Sequence, residues 1–514
     1  MDLRGASRRQ LLFRAAVLAG AALSPAAWTS AVAQVRIGDY PFRAGVASGE
    51  PAPDGMVLWT RLVTDPTALD GGLGRAPMAV RWEIAEDEGL RTVVQRGEAL
   101  AVAEAGHSVH VEIAGLKADR PYWYRFTAGG HASPIGRTRT APAAGARVDK
   151  LRIAYGSCQK FEAGFYAGHA HLVKDEPDLV LFLGDYMYER AAGSAGAVRL
   201  HPPVETTDLP TYRQRYAWYR DDANLQAAHA CAPWMVIWDD HEVSNDYGGD
   251  QDRSDMSPAD FLKRRAAAYQ AYYENMPLRR AAKPVGPSMQ LYRTLDWGGL
   301  ARIALVDDRQ YRARRSCEAE SNEKLVPADC ADRSDPKRSL LGAPQEAWLQ
   351  DQLKTTHARW NLLGQQTLVN EVITPDRRVS NDTWDGYAQT RTRLLEGWRD
   401  HKVSNPVVLG GDVHSFFAAD LALRPGEPPV ASEFVGGSFT SLGRSRAIVD
   451  GMMKINPQIR FGDGMTRGYG RVDLTPKTCA VTFRGLENAL VPDSPIRDLA
   501  KFVVEDGVAG LKTA

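Results

Sequence analysis

The stretch that most constrains the fold runs from residue 151 to residue 189, where two apolar segments flank a segment with helical character. The first, Leu151–Tyr155, is followed by Gly-Ser and Cys158, and the second, Asp178–Leu183, is followed by a glycine and Asp185. Short apolar runs of this kind predict buried parallel strands, and the segment between them predicts a right-handed βαβ unit. In such a unit both strands end at the same edge of the sheet, where α/β proteins bind their ligands.

Further along the chain, three more apolar segments end in acidic or histidine side chains. They are Ala232–Trp238 before Asp240 and His241, Ala301–Val306 before Asp307 and Asp308, and Pro406–Leu409 before Asp412 and His414. Carboxylates at the ends of buried strands repel one another and lose hydration, and bound divalent or trivalent cations are the usual remedy. A single aspartate at such a place is more often a cap, but separate caps would not supply histidines at matching positions. The joint pattern therefore predicts a metal site.

The length of 514 residues predicts about two domains. Residues 35–147 contain short strand candidates separated by turn residues, which predicts an all-β domain, and the Pro/Ala/Gly-rich Thr140–Arg147 is the best linker candidate. Residues 150–500 alternate strands and helices, which predicts an α/β domain that carries the site. Lys plus Arg and Asp plus Glu both number 63, so no overall field attracts nucleic acid or an anionic membrane. An anionic substrate must therefore be recognised locally.

Residues 1–33 have the pattern of a targeting segment. Ser7–Leu12 contains paired arginines, an Ala-rich apolar stretch follows, and Ala31–Ala33 offers small residues for cleavage before Gln34. A transmembrane anchor is the weaker alternative, because an arginine and a proline interrupt the run. The paired arginines resemble a twin-arginine signal, which exports folded proteins. The mature chain is therefore expected to start near Gln34, in the periplasm or outside the cell.

The five cysteines fall into three groups. Cys317 and Cys330 flank a polar insertion and would pair in an oxidising compartment, the alternative being two free surface thiols. Cys231 and Cys479 lie in apolar segments and are interpreted as core residues. Cys158 ends the first strand of the βαβ unit and is a possible metal ligand.

Five motifs, in order along nearly the whole mature chain, carry a family resemblance. They are Gly-Ser-Cys158, Gly-Asp185-Tyr-Met-Tyr188-Glu, Trp-Asp-Asp240-His241-Glu, Asp308-Arg-Gln-Tyr-Arg312 and Thr383-Trp-Asp-Gly-Tyr387. The metallophosphoesterase signature is resembled by three segments, Gly-Asp185, Asp-Asp240-His241-Glu and Gly-Asp412-Val-His414. The five motifs together are similar to the PhoD-type alkaline phosphatase/phosphodiesterase family. The resemblance implies a four-layer α/β/β/α metallophosphoesterase sandwich preceded by an all-β immunoglobulin- or fibronectin-like domain.

The resemblance also implies a mixed-metal centre with one Fe3+ and one or two Ca2+ ions. Asp185 would bridge the metals, and Cys158, Tyr188 and His414 would hold the ferric ion. A thiolate prefers softer metals, so for Cys158 the alternative of a small core residue stays open.

The remaining site assignments concern the second metal and the phosphate. Asp240 and Asp412 would form an oxygen-rich site, which suits a hard cation such as calcium. His241 is placed to protonate the leaving oxygen. Arg309 or Arg312 could hold a phosphate oxygen bidentately, the alternative being ion pairs with the two aspartates just before Arg309.

The expected activity is hydrolysis of small phosphomonoesters, extending to diesters, by attack of metal-activated hydroxide on phosphorus. The resemblance implies an alkaline optimum. The protein is expected to be a monomer whose other partner is the twin-arginine export machinery. The alternative within the fold is a phosphodiesterase or phospholipase D-like hydrolase, and the alternative outside it is a non-catalytic calcium-binding module. His169 and His171 lie in a predicted helix and are interpreted as packing or surface residues.

Overall fold

The computed structural model describes residues 37–193, 195–254, 256–317 and 324–514, so the predicted signal segment 1–33 lies outside the described residues. Within those ranges, no helix is both long enough and apolar enough to span a bilayer. The part before residue 150 is built from short strands, as the turn-rich sequence predicts. These strands are β1 (Val46–Ala52), β2 (Gly55–Arg61), β3 (Met78–Ala85), β4 (Val93–Ala101), β5 (Ser108–Ile113), β6 (Pro121–Ala128), β7 (His131–Ala132) and β8 (Gly136–Arg139).

From residue 151 onward, helices alternate with strands over much of the chain. The described strands are β9 (Leu151–Gly156), β10 (Leu179–Leu183), β11 (Pro233–Ile237), β12 (Arg293–Trp297), β13 (Ala301–Leu305), β14 (Leu325–Pro327), β15 (Trp360–Gly364), β16 (Arg378–Ser380), β17 (Pro406–Gly410), β18 (Phe416–Leu421), β19 (Ala431–Gly436), β20 (Ile459–Asp463), β21 (Gly468–Leu474), β22 (Thr478–Leu486), β23 (Ile496–Glu505) and β24 (Lys512–Thr513). The described α-helices are α1 (Ala167–Lys174), α2 (Leu209–Arg220), α3 (Ala223–Cys231), α4 (Pro258–Asn275), α5 (Ala343–Thr355), α6 (Ala388–Asp400) and α7 (Arg446–Ile455).

The predicted βαβ unit is confirmed. Strands β9 and β10 are parallel neighbours, with Ile153 opposite Leu179, and α1 connects them. Strand β11 continues the sheet in parallel on the other side of β10. The whole sheet has ten strands in the order β24-β23-β22-β21-β9-β10-β11-β1-β2-β5. The βαβ unit therefore lies at the centre of the largest sheet in the described part of the chain.

The N-terminal strands do not form a separately paired unit. Strand β1 runs parallel to β11, with Ser48 opposite Pro233, and β2 and β5 extend the sheet further. Without β1, β11 would present unpaired backbone groups at the edge of the sheet. A second sheet, β4-β3-β6-β7 with β8 beside β6, shares an apolar core with β1 and β2, in which Val46 and Leu58 pack near Ile84 and Phe126. The boundary predicted at residue 147 therefore does not separate the hydrogen-bonded sheets.

A seven-stranded sheet, β12-β13-β15-β17-β19-β18-β20, packs against the ten-stranded sheet. Alternate residues of β13 point to opposite faces: Ile303 and Leu305 belong to the core shared with β9–β11, and Ala304 belongs to the core under α5 and α6. A Cβ added at Gly364 would lie 3.2 Å from Leu183 of the facing sheet. The two sheets therefore lie face to face, which brings the ends of their parallel strands together.

The predicted helix over 258–275, the predicted disulfide and the predicted core position of Cys479 are all found in the structure. The helix predicted over 258–275 is α4, whose first turn is capped by Ser257, with Phe261 and Tyr269 buried. Cys317 and Cys330 form a disulfide, with a Cα–Cα distance of 6.4 Å. Cys479 is fully buried, as predicted.

Candidate active site

The predicted site residues follow the ends of four parallel strands and lie together. Cys158 follows β9, Asp185 follows β10, Asp240 follows β11, and His414 lies beyond β17 in the facing sheet. Ligand atoms within 4.8 Å of one another form three groups. These groups are Cys158 with Asp185 and His414, Asp185 with Asp240 and His241, and Asp239 with Asp240 and Asp412. Asp185 and Asp240 are each shared between two groups, so the three groups form one continuous centre.

Four of these residues have the left-handed backbone conformation that residues with a side chain seldom adopt. The φ angles are +60° at Cys158, +55° at Asp185, +56° at Asp412 and +52° at His414. The left-handed conformation costs about 1 kcal/mol or more at each such residue, and the surrounding structure has to maintain it. After β9, β10 and β17 the chain therefore turns sharply and directs these side chains toward the shared centre.

Tyr188 connects several of these side chains through its hydroxyl group. The Tyr188 hydroxyl lies 2.8 Å from Asp185 Oδ2, 3.3 Å from His414 Nε2 and 2.7 Å from Ser441 Oγ. Burial, followed by the charge of Asp185, raises the pKa of Tyr188 well above its ordinary value. Burial likewise raises the pKa of the Cys158 thiol. A nearby cation would reverse these shifts, because it favours the ionised phenol and thiol.

The imidazole of His414 is oriented by a backbone hydrogen bond. Its Nδ1 lies 3.0 Å from the carbonyl oxygen of Leu442, so Nδ1 carries the proton and donates to that oxygen. Nε2 is then left with a lone pair, and it lies 3.8 Å from Asp185 Oδ2. Metal-binding histidines commonly donate such a hydrogen bond from the ring nitrogen that does not bind the metal. This bond fixes the orientation of the ring and makes the metal-binding nitrogen more basic.

The carboxylates of the centre lack enough protein partners. Asp185 Oδ1, Asp239 Oδ2 and Asp240 Oδ1 are buried without a hydrogen-bond partner in the described part of the chain. Burial raises the pKa values of Asp185 and Asp239 well above the ordinary range, while Arg309 and His241 counteract burial and lower the pKa of Asp240. Oxygen atoms left in this way are suitable ligands for hard cations. The residues present therefore fit the metal centre that the sequence predicts.

Arg309 is fully buried and bound to acidic side chains. Its Nε donates to Asp239, its Nη1 lies 3.1 Å and 3.0 Å from the two carboxylate oxygens of Asp382, and its Nη2 lies 3.8 Å from Asp412 Oδ1. Arg312 Nη1 lies 2.8 Å from Asp382. The alternative that these arginines pair with the aspartates just before Arg309 is wrong, because the carboxylates that reach them come from other strand ends and loops.

His241 forms an ion pair with Glu189. His241 Nδ1 lies 2.6 Å from Glu189 Oε2, and the His241 ring lies over Tyr188 with a centroid distance of 4.0 Å. Burial opposes protonation, but Glu189, Asp240 and Asp185 raise the pKa of His241 to about 10. The contact with Glu189 therefore favours the protonated ring and holds it with Nδ1 directed at that carboxylate.

Sequence reasoning did not select several residues that support the centre. Glu242 accepts backbone hydrogen bonds from Asp185, Tyr186 and Asp239 at 3.2, 2.6 and 2.9 Å, so one buried carboxylate fixes two strand ends. Glu189 and Glu242 are the last residues of the motifs Gly-Asp-Tyr-Met-Tyr-Glu and Asp-Asp-His-Glu, and that position was the available signal. Asp382 directly precedes the motif Thr383–Tyr387, which was its available signal, whereas Ser441 lies in a loop that none of the motifs marks.

The two helical histidines lie outside the centre. His169 is fully buried, stacks on Phe439 at 4.0 Å and lies 2.7 Å from Gln159 Oε1. His171 lies 2.8 Å from the carbonyl oxygen of Ser494. Both contacts are those of packing residues, as the sequence predicts.

Comparisons with known proteins agree with this arrangement. Residues 153–483 match the family described as PhoD-like phosphatase, and residues 27–142 match its N-terminal domain. Alkaline phosphatase D of Bacillus subtilis (strain 168) is 42% identical over 486 residues, which cover 92% of this chain and 82% of that protein. A solved structure of PhoD aligns with a TM-score of 0.89 and 41% sequence identity, over 93% of both chains. The chain therefore belongs to the PhoD-like phosphatase family.

Proposed function

We propose that this protein is an exported, metal-dependent alkaline phosphatase that hydrolyses small phosphomonoesters and, in addition, phosphodiesters. The observation that carries the proposal is the continuous group of buried acidic, histidine and cysteine side chains at four strand ends, with three carboxylate oxygens lacking partners. Burying such charges without cations is costly, so the arrangement needs bound metal. The relative from Bacillus subtilis is named an alkaline phosphatase, which supports the same activity here.

The proposed metal ligands divide into two sets by donor type. Cys158, Tyr188 and His414 supply sulfur, phenolate and imidazole donors for Fe3+, and Asp185 is shared. Asp240 and Asp412 supply carboxylate oxygens for Ca2+, together with Asp239, which the sequence did not suggest. Bound cations would supply activated water near neutral pH and would offset the negative charge of the phosphate.

The chain's own groups then orient the substrate and move protons. His241 keeps Nδ1 on Glu189, so its Nε2 proton is available to the leaving oxygen. Arg309 was predicted to hold phosphate, but its guanidinium is fully buried among Asp239, Asp382 and Asp412. We assign it to holding those carboxylates in place, because buried like charges need a counter-charge.

Several finer features belong to the same proposal. We propose that the two facing sheets form the inner layers of a four-layer α/β/β/α sandwich. Helices α1–α4 would form one outer layer, and α5 and α6 the other. The N-terminal strands are proposed as an immunoglobulin- or fibronectin-like domain over residues 35–147, and residues 150–500 as the catalytic domain. Residues 1–33 are proposed as a twin-arginine signal for the export machinery, which places the protein in the periplasm or outside the cell. The mature protein is proposed to be a monomer.

Hydrolysis of p-nitrophenyl phosphate and of bis(p-nitrophenyl) phosphate by the metal-loaded protein tests the substrate class. We expect the monoester to be the better substrate at alkaline pH, and Asp185→Asn to remove the activity. Asp351→Asn changes an exposed aspartate on α5 in the same way and should keep full activity. Hydrolysis of the diester alone would replace this proposal with a phosphodiesterase, and an inactive metal-loaded protein would contradict it.

A further inference from the structure

The centre is closed on most sides and open on one. The side chains of Asp185 and Glu189 are 1% and 2% exposed, whereas those of Asp412 and His414 are 23% and 26% exposed. Cys158 is fully buried. A phosphate ester therefore has to approach from the side formed by the end of β17.

The cations nearest the centre are mostly bound to carboxylates. Arg309 and Arg312 share Asp382, and Lys324 Nζ lies 2.5 Å from Asp246 Oδ1. A guanidinium or ammonium bound in this way has little positive charge left for a second anion. A donor that carries no carboxylate is better suited to bind the phosphate.

Arg444 lies on the open side and differs from these cations. Its Nη1 donates to the carbonyl oxygen of Val413, between Asp412 and His414, at 2.7 Å. In residues 37–193, 195–254, 256–317 and 324–514, no other hydrogen bond or ion pair to Arg444 is found. Its remaining donors are not among the buried atoms without a partner, so they reach solvent. Arg444 thus presents free N–H groups beside the exposed ligands.

The loop that carries Arg444 is fixed to the centre. Ser441 Oγ donates to the carbonyl oxygen of Cys158 at 2.9 Å, and Leu442 accepts the hydrogen bond from His414. A Cβ added at Gly443 would lie 2.0 Å from the carbonyl oxygen of His414, so only glycine permits this close approach. The backbone before Arg444 is therefore anchored to the centre, and the hydrogen bond to Val413 keeps the guanidinium beside it, which reduces the entropic cost of binding.

We infer that Arg444 is the substrate-binding residue that holds the non-bridging oxygens of the reacting phosphate. A guanidinium offers parallel N–H donors that match two phosphate oxygens, and such charge-assisted bonds are strong. The inference rests on the proposed phosphatase function and adds the group that recognises its anionic substrate.

The test compares Arg444→Gln and Arg444→Lys with wild-type enzyme in KM for p-nitrophenyl phosphate and in competitive inhibition by inorganic phosphate. Glutamine keeps a donor for the Val413 carbonyl and removes the charge, whereas lysine keeps the charge and removes the paired donors. We expect Arg444→Gln to raise KM and the inhibition constant of phosphate about 10- to 100-fold with unchanged metal content, and Arg444→Lys to raise them less. Arg446→Gln removes an exposed charge two residues away and should change neither.

The contrary outcomes distinguish failure of the role of Arg444 from failure of the proposed phosphatase function. An unchanged inhibition constant in Arg444→Gln would overturn the role of Arg444 while the proposed function stands. Loss of metal from Arg444→Gln would also overturn it, because the arginine would then only position the Asp412–His414 turn. Wild-type protein that carries metal but neither hydrolyses the ester nor binds phosphate would instead contradict the proposed function.

Discussion

At the scale of single residues, the site depends on backbone conformation as well as on residue type. Cys158, Asp185, Asp412 and His414 all adopt positive φ angles, so the turn after each strand aims its side chain inward. These residues could be predicted from the sequence because each follows an apolar strand within a few positions. Their conformation could not be predicted, because it depends on distant partners such as Leu442, which orients His414.

Replacement of His241 tests its role in proton transfer. We expect His241→Ala to fold, to keep its metal content and to lose on the order of 10²- to 10⁴-fold in kcat, because the leaving oxygen no longer receives a proton. Steady-state kinetics measures the loss in kcat, and elemental analysis of the purified variant measures its metal content. His110→Ala removes a half-buried histidine far along the chain from the site motifs and serves as the control. Full activity in His241→Ala would remove His241 from the mechanism.

At the scale of elements, the site is formed where strands from two facing sheets end. The ends of β9, β10 and β11 come from the ten-stranded sheet, and β17 comes from the seven-stranded one. The βαβ unit and the strand ends follow from local apolar runs, so the sequence was enough to predict them. The support from Ser441 could not be predicted in the same way, because Tyr188 and Ser441 are 253 residues apart.

Helix α1 carries a histidine that makes stability depend on pH. Burial lowers the pKa of His169 from 6.5 to about 3, with the charge of Arg199 acting in the same direction. The folded protein therefore binds a proton less readily than the unfolded chain, and stability is lost as the pH falls from 6.5 towards 3. Between pH 7 and pH 4.5 this histidine should account for about 2–3 kcal/mol of lost free energy of unfolding.

Urea unfolding tests this contribution. The free energy of unfolding is measured at pH 7 and at pH 4.5 for the wild type and for His169→Gln. We expect the acid-induced loss of stability to be smaller in His169→Gln, because glutamine does not titrate. His357→Gln alters an exposed histidine and should follow the wild type. Equal losses in wild type and His169→Gln would show that His169 is not the cause.

At the scale of the whole molecule, the N-terminal strands and the catalytic part share one sheet. Strand β1 pairs with β11, Arg61 Nη1 lies 3.0 Å from Asn275 Oδ1, and Trp59 Nε1 donates to the carbonyl oxygen of Glu274 at 3.1 Å. Composition and turn spacing predicted an all-β region but not this pairing. Strand pairing across a long separation leaves no local signal in either segment.

The shared sheet predicts that the two parts unfold together. Thermal unfolding followed by circular dichroism and by tryptophan fluorescence should show one coincident transition, with equal calorimetric and van't Hoff enthalpies. Arg43→Ala breaks a half-buried ion pair with Asp221 between the two parts and should leave the transition single, because the pairing of β1 with β11 remains. Two separated transitions would show that the N-terminal strands form an independent unit.

We propose that Cys158, Asp185, Tyr188 and His414 hold a ferric ion beside a calcium site. The most direct test of this proposal is elemental analysis of the purified mature protein together with its visible absorption spectrum, for wild type and Tyr188→Phe. We predict about one iron per chain, bound calcium, and a tyrosinate-to-iron band in the wild type that Tyr188→Phe loses. A colourless wild-type protein that is active with zinc alone, and remains so in Tyr188→Phe, would contradict the account.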